Sequence, residues 1–256
     1  MMKRVFDLVL AAATLLSLSP LLGLLALLIW LQDFHSPLYR GRRMGWGGRP
    51  FLMVKFRSMV VQAERTGVRS TAGDDRRITP VGRFVRRFKL DELPQFWNVL
   101  KGDMSFVGPR PNVPTEVALY SSEELRLLAV QPGITDFASI VFSDEGEILR
   151  GSDDPDRDYN LLIRPWKSRL GLHYVKARSF EVDTGLLFLT ALNVLSLERA
   201  RRGVQHLLQQ TSAASDLVRI AGRTEVLVPT LPPGVRDADW EKHLTNAEPR
   251  GAPPSD

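Results

Sequence analysis

The chain contains no cysteine. Disulfides, thiolate nucleophiles and thiolate metal ligands are therefore excluded, in keeping with a reducing compartment. Histidine is scarce: His35, His173, His206 and His243 are scattered without ligand spacing, which argues against a zinc centre. Aromatic residues make up 8 % of the chain and are not interleaved with its basic clusters, so the stacking platforms of single-strand nucleic-acid binders are missing. No internal repeat is present. The last absence is local: no charged residue occurs from Leu8 to Gln32, and that run is almost wholly apolar.

What is present sets a frame. The 256 residues suffice for one core, and two domains are not required. Lys and Arg number 34 against 29 Asp and Glu, a formal charge of +5. Such an excess suits an anionic partner: nucleic acid, anionic lipid or a phosphorylated substrate.

The run Leu8–Gln32 exceeds the about 20 residues that cross a bilayer core as a helix, and it has no polar face for a soluble helix. Three readings compete. A cleaved signal would have a shorter run and a small-x-small cleavage site. A simple spanning helix is the default. The third is a re-entrant helix-break-helix that returns to the side it entered. Ser19 and Pro20 mark its break, because proline removes a backbone donor and kinks a helix. The hydroxyls of Ser17 or Ser19 can take the freed carbonyls. Charge points the same way. Lys3 and Arg4 precede the run, and Arg40, Arg42, Arg43 and Arg49 follow it, so both flanks prefer the cytoplasmic side.

Beyond Pro37, the Gly- and Arg-rich stretch from Tyr39 to Phe51 reads as a turn with cations at the lipid headgroups. Phe51–Met59 alternates as a short strand that would put Lys55 and Arg57 on one face, either as a phosphate site or as a solvated face. Thr79 and Pro80 start a helix as cap and first-turn residue, carrying Arg86 and Arg87 towards Asp91 and Glu92. Pro94 restarts a helix, so the two acids lie at or before its N-terminus. Asp91 is then either a helix cap or an acid held ionised for attack on phosphorus or for metal binding, and the two roles are compatible. Arg110 follows between Pro109 and Pro111, two residues that stiffen its loop.

Several ordered motifs now coincide: the basic N-terminus and apolar run with Ser19-Pro20; R-P-F-L-M-V-K-F-R-S-M (Arg49–Met59); T-P-V-G-R-F-V-R-R (Thr79–Arg87); D-E-L-P-Q (Asp91–Gln95); N-V-L-K-G-D-M-S-F-V-G-P-R-P (Asn98–Pro111); and P-G-I-T (Pro132–Thr135). Together they resemble the bacterial sugar transferase family, the small monotopic phosphoglycosyl transferases. The resemblance runs from Lys3 to about Leu149, and more loosely to about residue 197. It implies transfer of a phosphosugar from a UDP-sugar to undecaprenyl phosphate, with release of UMP, as the first membrane-committed step of a surface glycan. It implies a ping-pong mechanism in which Asp91 becomes a covalent aspartyl-phosphosugar, assisted by Glu92. It implies Mg2+ close to the dyad, with Asp91 as its ligand, and Lys55, Arg57, Arg86 and Arg110 as phosphate-binding residues. It further implies the bacterial inner membrane with the catalytic domain on the cytoplasmic face. The partners expected are the UDP-sugar, the polyprenyl phosphate and membrane lipids, with no nucleic acid; an oligomer is compatible. The family's I-T-G-W-A-Q is here I-T-D-F-A-S (Ile134–Ser139), a departure where the nucleotide or sugar end of the donor is expected.

The remainder is less informative. Thr115–Val130 reads as an amphipathic helix with Glu116, Glu123, Glu124 and Arg126 outward. Acidic segments at 143–147 and 153–156 read as solvated loops, with a helix start near Pro155. Leu186–Leu197 is too short to span and suits a core or interfacial helix. The expected fold is α+β, mainly helical with a small β-sheet. The expected division is 1–36 as the re-entrant hairpin, 37–202 as the catalytic domain, and 203–256 as a variable, partly disordered tail. The rival reading is a basic peripheral membrane or nucleic-acid-binding protein without catalysis.

Overall fold

The computed structural model describes residues 2–68 and 70–236. The elements are α1 (Met2–Leu31), β1 (Leu38–Met44), β2 (Pro50–Phe56), α2 (Pro80–Arg87), α3 (Gln95–Lys101), β3 (Ser105–Val107), α4 (Pro114–Val117), β4 (Gly133–Thr135), α5 (Phe137–Val141), α6 (Glu145–Ile148), α7 (Pro155–Asp158), α8 (Arg164–Ala177), α9 (Phe180–Leu195), α10 (Leu197–Gln210) and α11 (Ser215–Gly222). The protein is mostly helical, with two small two-stranded sheets.

Among the described residues α1 is the one helix long and apolar enough to cross a membrane. It is helical throughout with Pro20 inside, so the break expected at Ser19-Pro20 does not interrupt its helical course. Pro20 has no N–H for the Leu16 carbonyl four residues back. The Ser19 hydroxyl donates to that carbonyl instead, at 2.8 Å. Both ends of α1 dock on the rest of the protein. Near the start, Arg4 donates to the Val99 and Leu100 carbonyls at the end of α3, at 2.6 and 3.0 Å. Lys3 pairs with Asp183 of α9. The Asp7 carboxylate accepts from the Ser105 hydroxyl at 2.8 Å. Near the other end, Leu25 and Ile29 pack with Phe56 and Val85. Between Ala12 and Leu24 no side chain is buried.

Strands β1 and β2 form an antiparallel hairpin with Tyr39 opposite Lys55 and Arg43 opposite Phe51. Its connection needs left-handed backbone, which Gly47 (φ 64°) and Gly48 (φ 72°) supply. Strands β3 and β4 are parallel, with Ser105 beside Gly133 and Val107 beside Thr135. Past β3 the two backbones nearly touch: a Cβ on Gly133 would stand 2.1 Å from the Gly108 nitrogen. That contact presses the Pro109–Pro111 loop against β4.

Two outward-facing expectations change. Thr115–Val130 is not one helix; α4 is a single turn, and a 3-10 segment, Glu124–Ala129, follows later. Glu124 is fully buried, in an ion pair with Arg164 at 3.0 Å and accepting from the Ser168 hydroxyl at 2.7 Å. The acidic segment at 143–147 is likewise engaged: Asp144 pairs with Arg201, and Glu145 with Lys167. The boundary expected after residue 202 falls inside α10. Val204, Leu208, Leu217 and Ala221 are buried in the same core as Val99, Phe137 and Leu186. The helical core therefore continues to α11. The expectation for residues 237–256 lies outside the described residues.

Candidate active site

Local chemistry sets the position of Asp91 and Glu92. The Thr79 hydroxyl caps α2, accepting from the Gly82 N–H at 3.0 Å, and Pro80 occupies the first turn. Gly82 lies against the exit of β2, where an added Cβ would stand 1.9 Å from the Ser58 carbonyl oxygen. After α2 the chain reverses at Lys89, whose φ of 56° is uncommon for a side chain with a Cβ. A single 3-10 turn, Leu90–Glu92, follows and faces the dyad towards β2 and the Pro109–Pro111 loop.

There the two acids diverge. Arg110 forks Glu92, with Nη2 2.6 Å from Oε1 and Nη1 3.2 Å from Oε2. Lys55 Nζ lies 3.4 Å from Glu92 Oε1. Arg110 is itself held by the Ile134 carbonyl of β4, at 2.6 Å. The Asp91 carboxylate makes no hydrogen bond and no ion pair among the described residues. Burial alone would raise the Glu92 carboxyl, but Arg110, Lys55 and Lys89 overcome it and hold it at about 2. Burial and the neighbouring Glu92 push Asp91 above the usual aspartate value, and Lys55, Arg86 and Lys89 offset this only in part. Burial favours the neutral form of Lys55, and Arg110 acts in the same direction. Arg110 is raised, because Glu92 and Asp136 outweigh its burial. Of the two carboxyl groups, Glu92 is therefore the one whose charged form the surrounding cations favour most. The sequence suggested the reverse emphasis, an Asp91 held ionised by a helix start. The helix α3 behind it has only seven residues, and the like charge of Glu92 lies one residue away.

The structure brings Lys55, Asp91, Glu92 and Arg110 together, with Arg86 bearing on Asp91. Arg57 is held elsewhere. Its guanidinium forks Asp33 beyond the end of α1, at 2.5 and 2.6 Å, and donates to the Ser36 carbonyl at 2.8 Å. That pair ties α1 to the hairpin and holds the Asp33 carboxyl at about 2. Ser19 and Pro20 lie in the uncovered middle of α1. Two neighbours were not assigned from the sequence. Lys89, one residue before the 3-10 turn, bears on both carboxyl groups. Asp136 caps α5, accepting from the Ser139 N–H at 2.7 Å, and bears on Arg110 from the β4 side. Its signal was the Gly-to-Asp departure in I-T-D-F-A-S.

Comparison with known proteins decides what this arrangement belongs to. The family model described as bacterial sugar transferase matches residues 1–197. The chain belongs to the bacterial sugar transferase family. It is 40 % identical over 195 residues to an undecaprenyl-phosphate glucose phosphotransferase of Komagataeibacter xylinus, covering 73 % of this chain and 35 % of that protein. It is 37 % identical over 198 residues to a UDP-glucose:undecaprenyl-phosphate glucose-1-phosphate transferase of Escherichia coli (strain K12), covering 74 % of this chain and 39 % of that one. The uncharacterized sugar transferase EpsL of Bacillus subtilis (strain 168) is 35 % identical over 198 residues, covering 77 % of this chain and 89 % of EpsL. This sugar transferase thus spans well under half the length of the first two relatives and most of the third. All of its site residues fall within the family match, whereas α10 and α11 extend beyond it.

Proposed function

We propose that this sugar transferase moves a phosphosugar from a UDP-sugar to undecaprenyl phosphate through a covalent aspartyl intermediate, releasing UMP and initiating a surface glycan. One observation carries the reading. Glu92 is taken up by Arg110 and Lys55, while Asp91 is left unpaired among Lys55, Arg86 and Lys89. A free carboxylate ringed by cations suits attack on an anionic phosphorus.

An Asp91 oxygen attacks the β-phosphorus of the donor. The bond from that phosphorus to the bridging oxygen breaks, and the oxygen leaves with the α-phosphate as UMP. The sugar phosphate stays on Asp91 as a mixed anhydride. A phosphate oxygen of undecaprenyl phosphate then attacks the same phosphorus, and the Asp91 carboxylate is returned. Arg110, Lys55, Arg86 and Lys89 offset the charge on the equatorial oxygens, and the fork of Arg110 suits two-point binding. Glu92 orients Arg110 and Lys55.

Among the described residues no group of three or more His, Cys, Asp or Glu gathers to hold a metal unaided. Magnesium commonly takes one or two carboxylates and completes its shell with substrate phosphates and water. The unpaired Asp91 carboxylate fits that pattern, with the donor pyrophosphate supplying the remainder. Bound there, the ion would neutralise pyrophosphate charge. The apolar middle of α1 is uncovered while both its ends dock on one body, which favours a re-entrant segment turning at Pro20. The site then faces the cytoplasm at the depth of the lipid phosphates, in the inner membrane.

Asp91→Asn tests the reading. UMP release is expected to fall at least about 1,000-fold with the variant still folded and membrane-bound. With acceptor withheld, the wild-type Asp91 peptide should carry the mass of a phosphosugar. Full activity of the variant rejects the nucleophile. Salt-dependent nucleic-acid binding without UMP release from any UDP-sugar would favour the non-catalytic rival.

A further inference from the structure

Beyond the dyad, a second set of polar side chains converges from separate elements. Glu116 comes from α4, Glu145 from α6, Tyr159 from a π-helical turn (Tyr159–Ile163), and Lys167 from α8. Lys167 pairs with Glu145, and its ammonium lies 5.1 Å from the centre of the Tyr159 ring. Arg43, near the end of β1, joins them, because α4 packs on β1 and follows directly from the Arg110 loop. Arg43 and Lys55 also share one face of the hairpin, since residues in register or two apart point the same way.

The set adjoins the dyad on two sides. Arg43 bears on both Lys55 and Glu116. Tyr159 feels Arg110, and Asp136 feels both Arg110 and Lys167. The set therefore borders the cations of the dyad, with Arg43 on the same hairpin face as Lys55. Two of its members lack hydrogen bonds. The Glu116 carboxylate and the Tyr159 hydroxyl have no hydrogen-bond partner among the described residues, although both residues are half-buried. Burial pushes the Glu116 carboxyl up. Neither group is sealed from solvent, so each is open to a hydroxyl of a bound ligand. Tyr159 also opens a π-helical turn, a local irregularity frequent at functional sites.

We infer that Arg43, Glu116, Glu145, Tyr159 and Lys167 form the subsite that holds the sugar of the donor and sets which sugar is accepted. The inference rests on the proposed reaction. A sugar hangs directly from the phosphate that Arg110 would bind, so its ring falls beside whatever flanks Arg110. Carboxylates accept from sugar hydroxyls, the ammonium donates to hydroxyls or to an N-acyl carbonyl, and the phenol does both. A site built from such groups discriminates strongly against a donor that leaves one of them unmet.

Glu116→Gln and Tyr159→Phe test it, since both keep shape and remove one hydrogen-bonding capacity. UMP release is measured for wild type and variants with UDP-glucose, UDP-galactose, UDP-N-acetylglucosamine and UDP-N-acetylgalactosamine. The ratio of kcat/KM between the best donor and its competitors is expected to fall about 10-fold in either variant. Inhibition by UMP, which lacks the sugar, should be unchanged, and thermal midpoints should not drop. Equal losses on all donors, or an unchanged ratio with altered UMP inhibition, overturn the sugar subsite while the reaction stands. Wild type that releases UMP from none of the four overturns the reaction itself.

Discussion

Asp91 and Glu92 are adjacent in sequence and opposite in electrostatic fate. Burial and Glu92 raise Asp91, whereas Arg110, Lys55 and Lys89 hold Glu92 at about 2. A carboxyl group that must ionise to attack limits the rate on the acid side. The acid limb of kcat/KM for the donor is therefore expected above the ordinary aspartate value of 3.8. Glu92→Gln removes the like charge, so the limb should move to lower pH. The same change should lower kcat by about 10- to 100-fold, because Lys55 and Arg110 lose the charged, two-oxygen partner that orients them. UMP release measured against pH checks both, and a limb that moves upward contradicts this order of effects. Stability follows opposite signs at the two residues. Glu92 is depressed on folding, so its contribution is present above its unfolded value of 4.5 and is lost as pH falls towards about 2. Asp91 is raised, so it favours the fold below 3.8 and costs stability as pH rises through its folded value. At pH 7, Asp91→Asn should raise the thermal midpoint and Glu92→Gln should lower it, as thermal unfolding of the two variants checks.

Among the elements, α1 carries the next prediction. The protein has no cysteine, so single cysteines at the exposed positions Val5 and Phe34 report each end without background. A re-entrant helix puts both within reach of an impermeant maleimide from the cytoplasmic side; labelling from opposite sides overturns the re-entrant reading. Pro20→Ala restores the N–H that Leu16 lacks, so the segment should straighten and its ends separate across the bilayer. The Ser19 hydroxyl on the Leu16 carbonyl was legible in the sequence, as were the Thr79 cap, the start of α7 at Pro155 and a strand through Lys55. Each follows from chemistry within a few residues. The illegible parts depend on partners far along the chain. Strand alternation assigned Arg57 to the face of Lys55, but Asp33, across the turn from α1, captures its guanidinium. Helical periodicity turned Glu124 to solvent, but Arg164 and Ser168 on α8 take it inside. The left-handed Lys89 that aims the dyad has no local signal, because glycine is the residue that ordinarily marks such a turn.

At the scale of the whole molecule, α10 and α11 lie mostly beyond the family match and yet reach the border of the site. Arg201 Nη2 lies 2.7 Å from Asp144 Oδ1, and Arg223 Nη2 lies 3.9 Å from Oδ2. Arg201 also donates to the Val141 carbonyl at 2.8 Å, and the Arg223 guanidinium lies 5.1 Å from the centre of the Phe142 ring. The residues flanking Asp144 face the site: the Ser143 carbonyl accepts from Lys89 at 3.4 Å, and Glu145 pairs with Lys167. The extension thus grips the middle of a segment whose neighbours touch Lys89 and the inferred sugar subsite. The residues just past α11 return to the same body, with the Thr230 N–H donating to the Leu161 carbonyl in the π-helical turn at 3.0 Å. A thermal-stability cycle of Arg201→Ala, Asp144→Ala and the double change should give a coupling of about 1–3 kcal/mol, because all three side chains of the clasp are largely shielded. The longer Arg223 contact should couple more weakly. A chain ended at Leu197 loses Ala200, Val204, Leu208, Leu217 and Ala221 from the core as well as both arginines. It is expected to lose UMP release together with its cooperative unfolding transition. Full activity in that shortened chain would mean that the family-matched region holds Ser143–Glu145 in place without the clasp.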